Sequence, residues 1–342
     1  MKIKINFLGF YSGFDPNCNM FTEILSKHFS IEVSSNPDFV IVSPLCKPFE
    51  WLKYDCVRIL YTGEPLSPDF NSFDYAIGFD DIVFLDSNGV NRNFRLPFCF
   101  TVMGGDAATV KQRMHADGLT YEEARDALAR KRYFCNFIYG HESAYGEREE
   151  LFEMISSYKR VESSGTFMNN MPDGEVVPFS EKKYEFLKLC KFTIACESIS
   201  VPGFCTEKLT QPFMNDSVPI YYGNPDVDME FNVKAFINMH AYESFEEGLE
   251  AVREVDSDDS KYIKMLMEPK VVSDDYIDSM YDRFEAFLLY IFSQPLDKAY
   301  RRVRHYLPSR IESYQNDYRR FYRVFDFAHK VKGRIERTIA GL

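Results

Sequence analysis

The chain has 342 residues, enough for two domains of roughly 100–200 residues each. Hydrophobic residues make up 45% and charged residues 27%, ordinary globular proportions that exclude disordered, collagen-like and coiled-coil chains. Forty Lys and Arg against 52 Asp and Glu give a net charge of −12, which repels phosphate and excludes a general nucleic-acid binder.

The first third alternates strands and helices. Lys2–Phe10 reads as a strand and Phe21–Phe29 has helical spacing, while Asp38–Ser43 and Val57–Tyr61 are apolar runs of the buried-strand type. Apolar pieces at Tyr75–Phe79 and Ile82–Leu85 follow. From Gly104 to Arg132 the texture turns polar and helical, and a linker or surface insertion is expected there. A second α/β unit begins at Tyr133: strand YFCNFIYG, helix Glu147–Tyr158, strand Lys159–Ser163, helix Glu181–Lys191 and strand Phe192–Cys196. Helix Thr206–Asn215, strand Val218–Tyr222 and strand Ala235–Met239 come next, then helices near Ser244–Val255, Lys261–Met267 and Tyr276–Phe292. This predicts two Rossmann-like halves, residues 1–130 (with 104–132 as the insertion) and 131–295, followed by a helical tail over 296–342. Sugar-nucleotide transferases, periplasmic binding proteins and some epimerases share such an architecture.

The tail differs in charge from the rest. Residues 298–342 carry 12 Lys and Arg against 4 Asp and Glu, or +8, while the remainder stands at −20. Tyr314, Tyr318, Phe321, Tyr322 and Phe325 fall on one helical face, which is expected to pack back on the body. The stretch from Lys330 through Gly333, Arg334 and Arg337 reads equally as the solvated basic side of that helix and as a contact with an anionic membrane surface.

The eight cysteines form no C-x-x-C and several lie in apolar runs, so they are expected to be buried free thiols of a cytoplasmic protein, some of it at the inner membrane face. The six histidines have no metal-ligand spacing, and no stretch is long enough to span a membrane. The opening MKIKINFLGFYSGFDP reads as a strand, not a signal peptide. Asp226 and Asp228 form a D-x-D of the kind that holds a divalent ion against a diphosphate, but short acidic pairs are common in so acidic a chain and no metal is expected.

The densest chemical signal runs from Phe192 to Pro225. A strand ends at Cys196, a loop with Pro202 and Gly203 turns into a helix, and Thr206 can cap it. Lys208 in the first helical turn runs against the dipole preference, which a bound phosphate would explain and an ordinary exposed lysine would equally satisfy.

The run E-S-x-x-x-x-G-F-x-T-E-K (197–208), followed by S-V-P-I-Y-Y-G (217–223), resembles the donor-binding motif of the α-1,3-fucosyltransferases of glycosyltransferase family 10. K-R-Y-F-C-N-F-I-Y-G (131–140), Arg148, the K-R-V-E-S-S-G segment (159–165) with Asn169 and Asn170, and Y-T-G-E-x-x-S-P-x-F-x-x-F-D-Y-A-I-G-F-D (61–80) are similar to that family, the last to its bacterial members. The resemblance implies a GT-B fold with two Rossmann-like domains facing each other across a cleft. It implies an inverting, metal-independent enzyme with GDP-fucose as donor substrate and no cofactor. The expected transfer is of L-fucose to the 3-OH of GlcNAc or Glc in a β-galactosyl disaccharide, giving Lewis x or 3-fucosyllactose type products. An α-1,4 or other regiochemistry, or a glycan-binding relative without turnover, is the alternative. By resemblance, Arg148 and Lys208 stabilise the leaving diphosphate, Glu207 accepts from the ribose hydroxyls, and Glu197, Ser198 and Phe204 complete the donor contacts. Glu64 of Y-T-G-E is the general base, with partial burial beside Tyr61 expected to raise its pKa and Gly63 to let the chain turn; Asp80 and Asp81 stand next in line. Ser198 and Phe204 replace the family's Asn and Tyr, which removes an amide and a hydroxyl from the donor contacts.

Overall fold

The computed structural model describes residues 1–178 and 180–340, the last eight of them as backbone only. The chain divides into two compact units, one of residues 1–78, 82–94 and 285–342, the other of residues 79–81 and 95–284.

The first unit is built on six strands: β1 (Lys2–Leu8), β2 (Ser30–Val33), β3 (Phe39–Val42), β4 (Val57–Tyr61), β5 (Tyr75–Gly78) and β6 (Asn93–Arg95), in the order β2-β1-β3-β4-β5-β6. From β2 to β5 every neighbouring pair is parallel. The central strands FVIV and YAIG are buried along their whole length, because helices or loops cover both faces. Strands β2 and β6 were not read from the sequence; both are short, and each carries polar or charged residues in place of an apolar run. The apolar piece Ile82–Leu85 forms no strand of the sheet: its side chains are exposed, and only Leu85 makes a bridge, to Asn91.

The second unit holds β7 (Tyr133–Phe137), β8 (Val161–Ser163), β9 (Cys190–Cys196), β10 (Val218–Tyr222) and β11 (Ile237–Asn238), in the order β11-β10-β9-β7-β8 and parallel throughout. Its core joins Phe137, Phe192, Ile194 and Ile220 to Leu151, Ile155, Val252 and Tyr262 of the covering helices.

Two expected regions sit elsewhere. Residues 104–132, expected as an insertion beside the first half, belong to the second unit. Helix Tyr121–Arg130 buries Ala124 and Ala127 completely and packs on helix Asp259–Met267, and the Leu119 amide donates to the Leu266 carbonyl (3.1 Å). The buried face is made of alanines, so it carries little hydrophobic periodicity. The tail is not a separate region but part of the first unit. Arg302 pairs with the fully buried Asp74 (2.8 Å), Arg301 with Asp86 (2.9 Å), and Arg58 with Glu312 (2.9 Å). The aromatic face packs only in part. Tyr318 meets Phe49 edge-on (5.7 Å) and stacks on Phe325 (5.0 Å), while Tyr314 and Phe321 are exposed. The side chains of Arg334 and Arg337 lie outside the described residues, so the expected membrane contact of that stretch does too. Among the described residues no helix is long and apolar enough to cross a membrane.

Candidate active site

Strand β9 delivers the chain to the loop 197–206. The Glu197 amide bonds to the Tyr222 carbonyl of β10 (2.8 Å), so the residue stays in the sheet frame. Its side chain turns inward with no exposed surface. Oε1 accepts from the Thr206 amide (2.7 Å), both carboxylate oxygens accept from the Thr206 hydroxyl, and Oε2 lies 3.3 Å from Lys208 Nζ. Two glycines make room for this. A Cβ on Gly223 would stand 2.4 Å from Glu197 Cγ, and Gly203 has φ +81° with the Phe79 carbonyl 2.7 Å from where a Cβ would be. Behind the loop, Arg95 binds Glu230 with both terminal nitrogens (2.6 and 2.9 Å) and donates to the Gly203 carbonyl (2.9 Å), which fixes the loop's back.

Helix Glu207–Phe213 is seven residues long, ends around Pro212 and is shorter than the Thr206–Asn215 expected. Its dipole is correspondingly small, so attraction for an anion rests on side-chain cations. Lys208 bonds the Thr206 hydroxyl (3.0 Å) and leans on Glu197 and Glu207 (3.5 Å). Burial opposes its charge, but the two carboxylates prevail and hold its pKa above the usual lysine value. Burial alone would raise Glu207, yet Lys208 and its own backbone amide bring it below the ordinary carboxylate range. In Glu197 burial prevails and pushes the carboxyl up against the pull of Lys208.

Arg148 opens helix Glu147–Tyr158 after Gly146, whose φ is +87°. The guanidinium is buried and lies 4.1 Å over the Tyr139 ring. It donates to the carbonyls of His141 (2.6 Å), Glu142 (3.1 Å) and Cys196 (3.2 Å), and its Nε is buried with no partner. Tyr139 in turn donates to the Ile194 carbonyl (2.8 Å) and accepts from the Cys196 amide (2.7 Å). Arg148 and Lys208 are thereby brought to one end of β9, joined through Cys196 and Glu197.

The remaining donor-side residues have different placements. Ser198 is half-buried and offers its carbonyl to the Ala144 amide (2.9 Å). Phe204 is 2% exposed and packs edge-on against Phe79 (5.5 Å), so its ring face is spent inside the unit. Glu197 is likewise enclosed, and both shape the loop from within instead of presenting a surface. Asp226 begins a short 3-10 turn, its amide bonded to Asn224 (3.0 Å). Among the described residues no three His, Cys, Asp or Glu side chains gather as metal ligands would.

One residue of this neighbourhood was not anticipated. Lys183, on helix Glu181–Leu189, is buried with Nζ 2.7 Å from Gln211 Oε1. Burial pushes its pKa down to about 8; the charge of Glu207 opposes this and that of Lys208 adds to it. Its spacing from Leu187, one helical turn along the buried face, was the available signal.

In the first unit, Glu64 follows the end of β4 and is exposed, not partly buried as expected. The turn is made by the Thr62 hydroxyl, which accepts from the Glu64 amide (3.0 Å) and donates to the Glu64 carbonyl (3.2 Å); Gly63 has no positive φ. Asp81 belongs to the second unit, exposed and 3.7 Å from Arg95.

Two α/β units on largely parallel sheets are consistent with a GT-B fold, and the chain shares its fold with solved fucosyltransferases. A crystal structure of an α1,3-fucosyltransferase, and one of the same kind with GDP-fucose, each superpose with a TM-score of 0.64 over 84% of this chain and 90% of theirs at 24% identity. Residues 5–101 match the α-(1,3)-fucosyltransferase FucT N-terminal domain, and residues 128–267 match the C-terminal region of glycosyltransferase family 10 (fucosyltransferase). The chain belongs to glycosyltransferase family 10. It is 29% identical over 272 residues to an α-(1,3)-fucosyltransferase FucT of Helicobacter pylori, and 28% identical over 229 residues to a putative fucosyltransferase of Acanthamoeba polyphaga mimivirus. The matches take in 72% and 65% of this chain but only 55% and 35% of those relatives.

Proposed function

We propose that this protein transfers L-fucose from GDP-fucose to the 3-OH of GlcNAc or Glc in a β-galactosyl disaccharide, with inversion and without a metal ion. The observation that carries this reading is the pair of cations, Arg148 and Lys208, anchored at one end of β9 within a family 10 motif. The α1,3-fucosyltransferase structure with GDP-fucose supports the donor.

In the proposed reaction the acceptor oxygen bonds to C1 of fucose as the C1–O bond to the β-phosphate breaks. The acceptor proton goes to Glu64 and GDP leaves. Charge develops on the β-phosphate oxygen, and Lys208 and Arg148 neutralise it. To reach it, Arg148 exchanges carbonyl partners for phosphate oxygens, while its buried Nε has no partner to give up. Glu207, held ionised, accepts from the ribose hydroxyls. Ser198 lines the same loop, with Glu197 and Phe204 bracing it from inside. Incubation with GDP-fucose and a β-galactosyl disaccharide, followed by NMR assignment of the product linkage, tests the proposal; GDP-fucose left intact with every acceptor contradicts it. Activity should persist in excess EDTA, and loss reversed by Mn²⁺ would bring Asp226 and Asp228 into the site.

The tail suits a peripheral contact of a cytoplasmic enzyme with an anionic membrane. Phe321, Val324 and Phe327 are exposed beside Arg320, Arg323 and Lys330. Sedimentation with phosphatidylglycerol vesicles should remove the full chain from solution and leave a chain ending at Arg320 behind.

A further inference from the structure

The helices of the tail meet at a corner that carries more positive charge than the chain answers. Helix Leu307–Arg320 ends and helix Tyr322–Ala340 begins with only Phe321 between them. The Val324 and Phe325 amides both donate to the Phe321 carbonyl (2.9 and 3.2 Å), which starts the second helix there. The turn Glu50–Lys53 of the same unit lies against this corner, where Tyr318 meets Phe49. Between turn and corner is a cavity of about 270 Å³ lined by Lys47, Lys53, Arg319, Arg320 and Arg323, with Glu50 as its one acid. Small-molecule sites typically run from roughly 300 to 1,000 Å³, so this one suits a single compact group. Its charges are placed without being neutralised. Glu50 is taken by Lys53. Arg319 is half-buried and aimed by Asn316, whose Oδ1 accepts from its Nε and Nη2 (3.0 and 2.8 Å). Among the described residues, Lys47, Arg320 and Arg323 form no ion pair. Other arginines of this unit meet acids: Arg58 with Glu312, Arg302 with Asp74, and Arg304 with Asp55 (2.6 Å).

We propose that this cavity binds a phosphate ester, held by Arg319, Arg320 and Arg323 of the tail and by Lys47 of the loop after β3, so that the ligand ties the tail to the first unit. Like charges around one hollow repel one another, and in a chain with 52 acids the carboxylates that would relieve them stand elsewhere. Arg323, in the first turn of its helix, also runs against the dipole, and the first-turn amides beside it are donors without a helical acceptor; an anion answers both. Phosphate fits better than a carboxylate. Its oxygens point in several directions and carry up to two charges, matching cations that converge from two elements, and guanidinium forks bind such oxygens in pairs. Nucleic acid fits poorly, since the cavity takes one compact group and the whole chain stands at −12. The site is independent of the donor chemistry; where the phosphate belongs to a lipid head group, it rests on the proposed membrane contact of the tail and gives that contact a specific ligand.

Two arms test this with the full chain. In the first, glycerol 1-phosphate is titrated by calorimetry in saturating GDP, so that Arg148 and Lys208 are occupied. In the second, the chain is sedimented with phosphatidylglycerol vesicles. Lys47→Gln and Arg323→Gln change exposed side chains, and each should weaken glycerol phosphate binding about tenfold. Lys298→Gln removes the same charge from an exposed site outside the cavity and should change nothing. Glycerate, a carboxylate of similar size, should bind more weakly than glycerol phosphate; equal affinity overturns the choice of phosphate. Weaker sedimentation of Lys47→Gln makes the ligand a lipid head group, and a loss in the calorimetric arm alone makes it a free phosphate ester. A parent that binds neither probe, or a Lys298→Gln loss as large as that of the cavity variants, overturns the site. Sedimentation that survives both cavity variants, with no glycerol phosphate bound, keeps the membrane contact and removes the cavity. Glycerol phosphate bound through Lys47 and Arg323 by a chain that never sediments does the reverse.

Discussion

Lys208 is held in place before any ligand arrives, by a carboxylate that cannot be reached from outside: Glu197 Oε2, with no exposed side-chain surface, lies 3.3 Å from Lys208 Nζ. One carboxylate thus caps Thr206, fixes the loop and aims the cation. The arrangement links stability to binding at a single position.

Lys208→Ala should therefore cost both. Removing one partner of a buried ion pair typically destabilises by about 3–5 kcal/mol, and the lysine's partial exposure places this pair at the lower end. GDP affinity, by calorimetry, should fall, and so should the melting temperature. The double variant Glu197→Gln, Lys208→Ala should melt above the sum of the two single losses, because no buried charge is left unpaired. A Lys208→Ala protein that melts like the parent would show that the pair does not compensate Glu197.

Arg148→Ala should weaken GDP binding about 10–100-fold, the equivalent of roughly 1.5–3 kcal/mol for charge-assisted bonds. Arg148→Lys should recover little of it. A lysine keeps the charge but cannot lie flat on Tyr139 while also reaching the carbonyls of His141 and Cys196. Normal GDP affinity in Arg148→Ala would remove the residue from the donor site.

Lys183 gives a pH signature. Its folded pKa of about 8 lies below that of an unfolded lysine, so between those values the unfolded chain binds more protons and stability rises with pH. The penalty is complete below pH 8 and fades as pH climbs through the folded pKa towards the unfolded one. Lys183→Met should therefore be more stable than the parent at pH 7, by something up to about 3 kcal/mol. Urea denaturation should show that advantage shrinking by pH 10. A gap that stays constant with pH would mean that the lysine is not desolvated in the folded state.

The tail contributes to the first unit through Asp74, which accepts from the Arg301 and Arg302 amides (2.7 and 2.9 Å) and pairs with the Arg302 side chain. Asp74→Asn or truncation before Arg301 should destabilise that unit by about 3–5 kcal/mol. Truncation after Arg320 should leave the melting temperature nearly unchanged. Equal melting of all three proteins would make the tail dispensable to the core.

The fold was legible where buried strands are continuous apolar runs, as in Val57–Tyr61 and Val218–Tyr222, both of which end where expected. It was less legible where packing is made by small or charged residues. Ala124 and Ala127 bury a helix that reads as a polar linker, and the tail is docked by Arg302 on the buried Asp74, ahead of the aromatic face that was expected to pack. In the candidate site, the motif singles out Arg148, Glu207 and Lys208. The enclosure of Glu197 and Phe204 did not follow from it, because a motif records which residues occur together and not which of them face inward. Lys183 was hidden for a related reason: a lysine in a polar helix reads as solvated until its partner Gln211 is in view.

The central claim is catalysis with Glu64 as the base, and the most direct measurement is the turnover of Glu64→Gln at saturating GDP-fucose and acceptor, set beside its GDP affinity. Glutamine keeps the shape and cannot take the proton. Turnover should fall by about 10²–10⁴, the usual contribution of a positioned base, with GDP affinity unchanged and the rising limb of the pH–rate profile gone. Parental turnover at saturation, or a loss confined to GDP affinity, would contradict the account and pass the search for the base to Asp80 and Asp81.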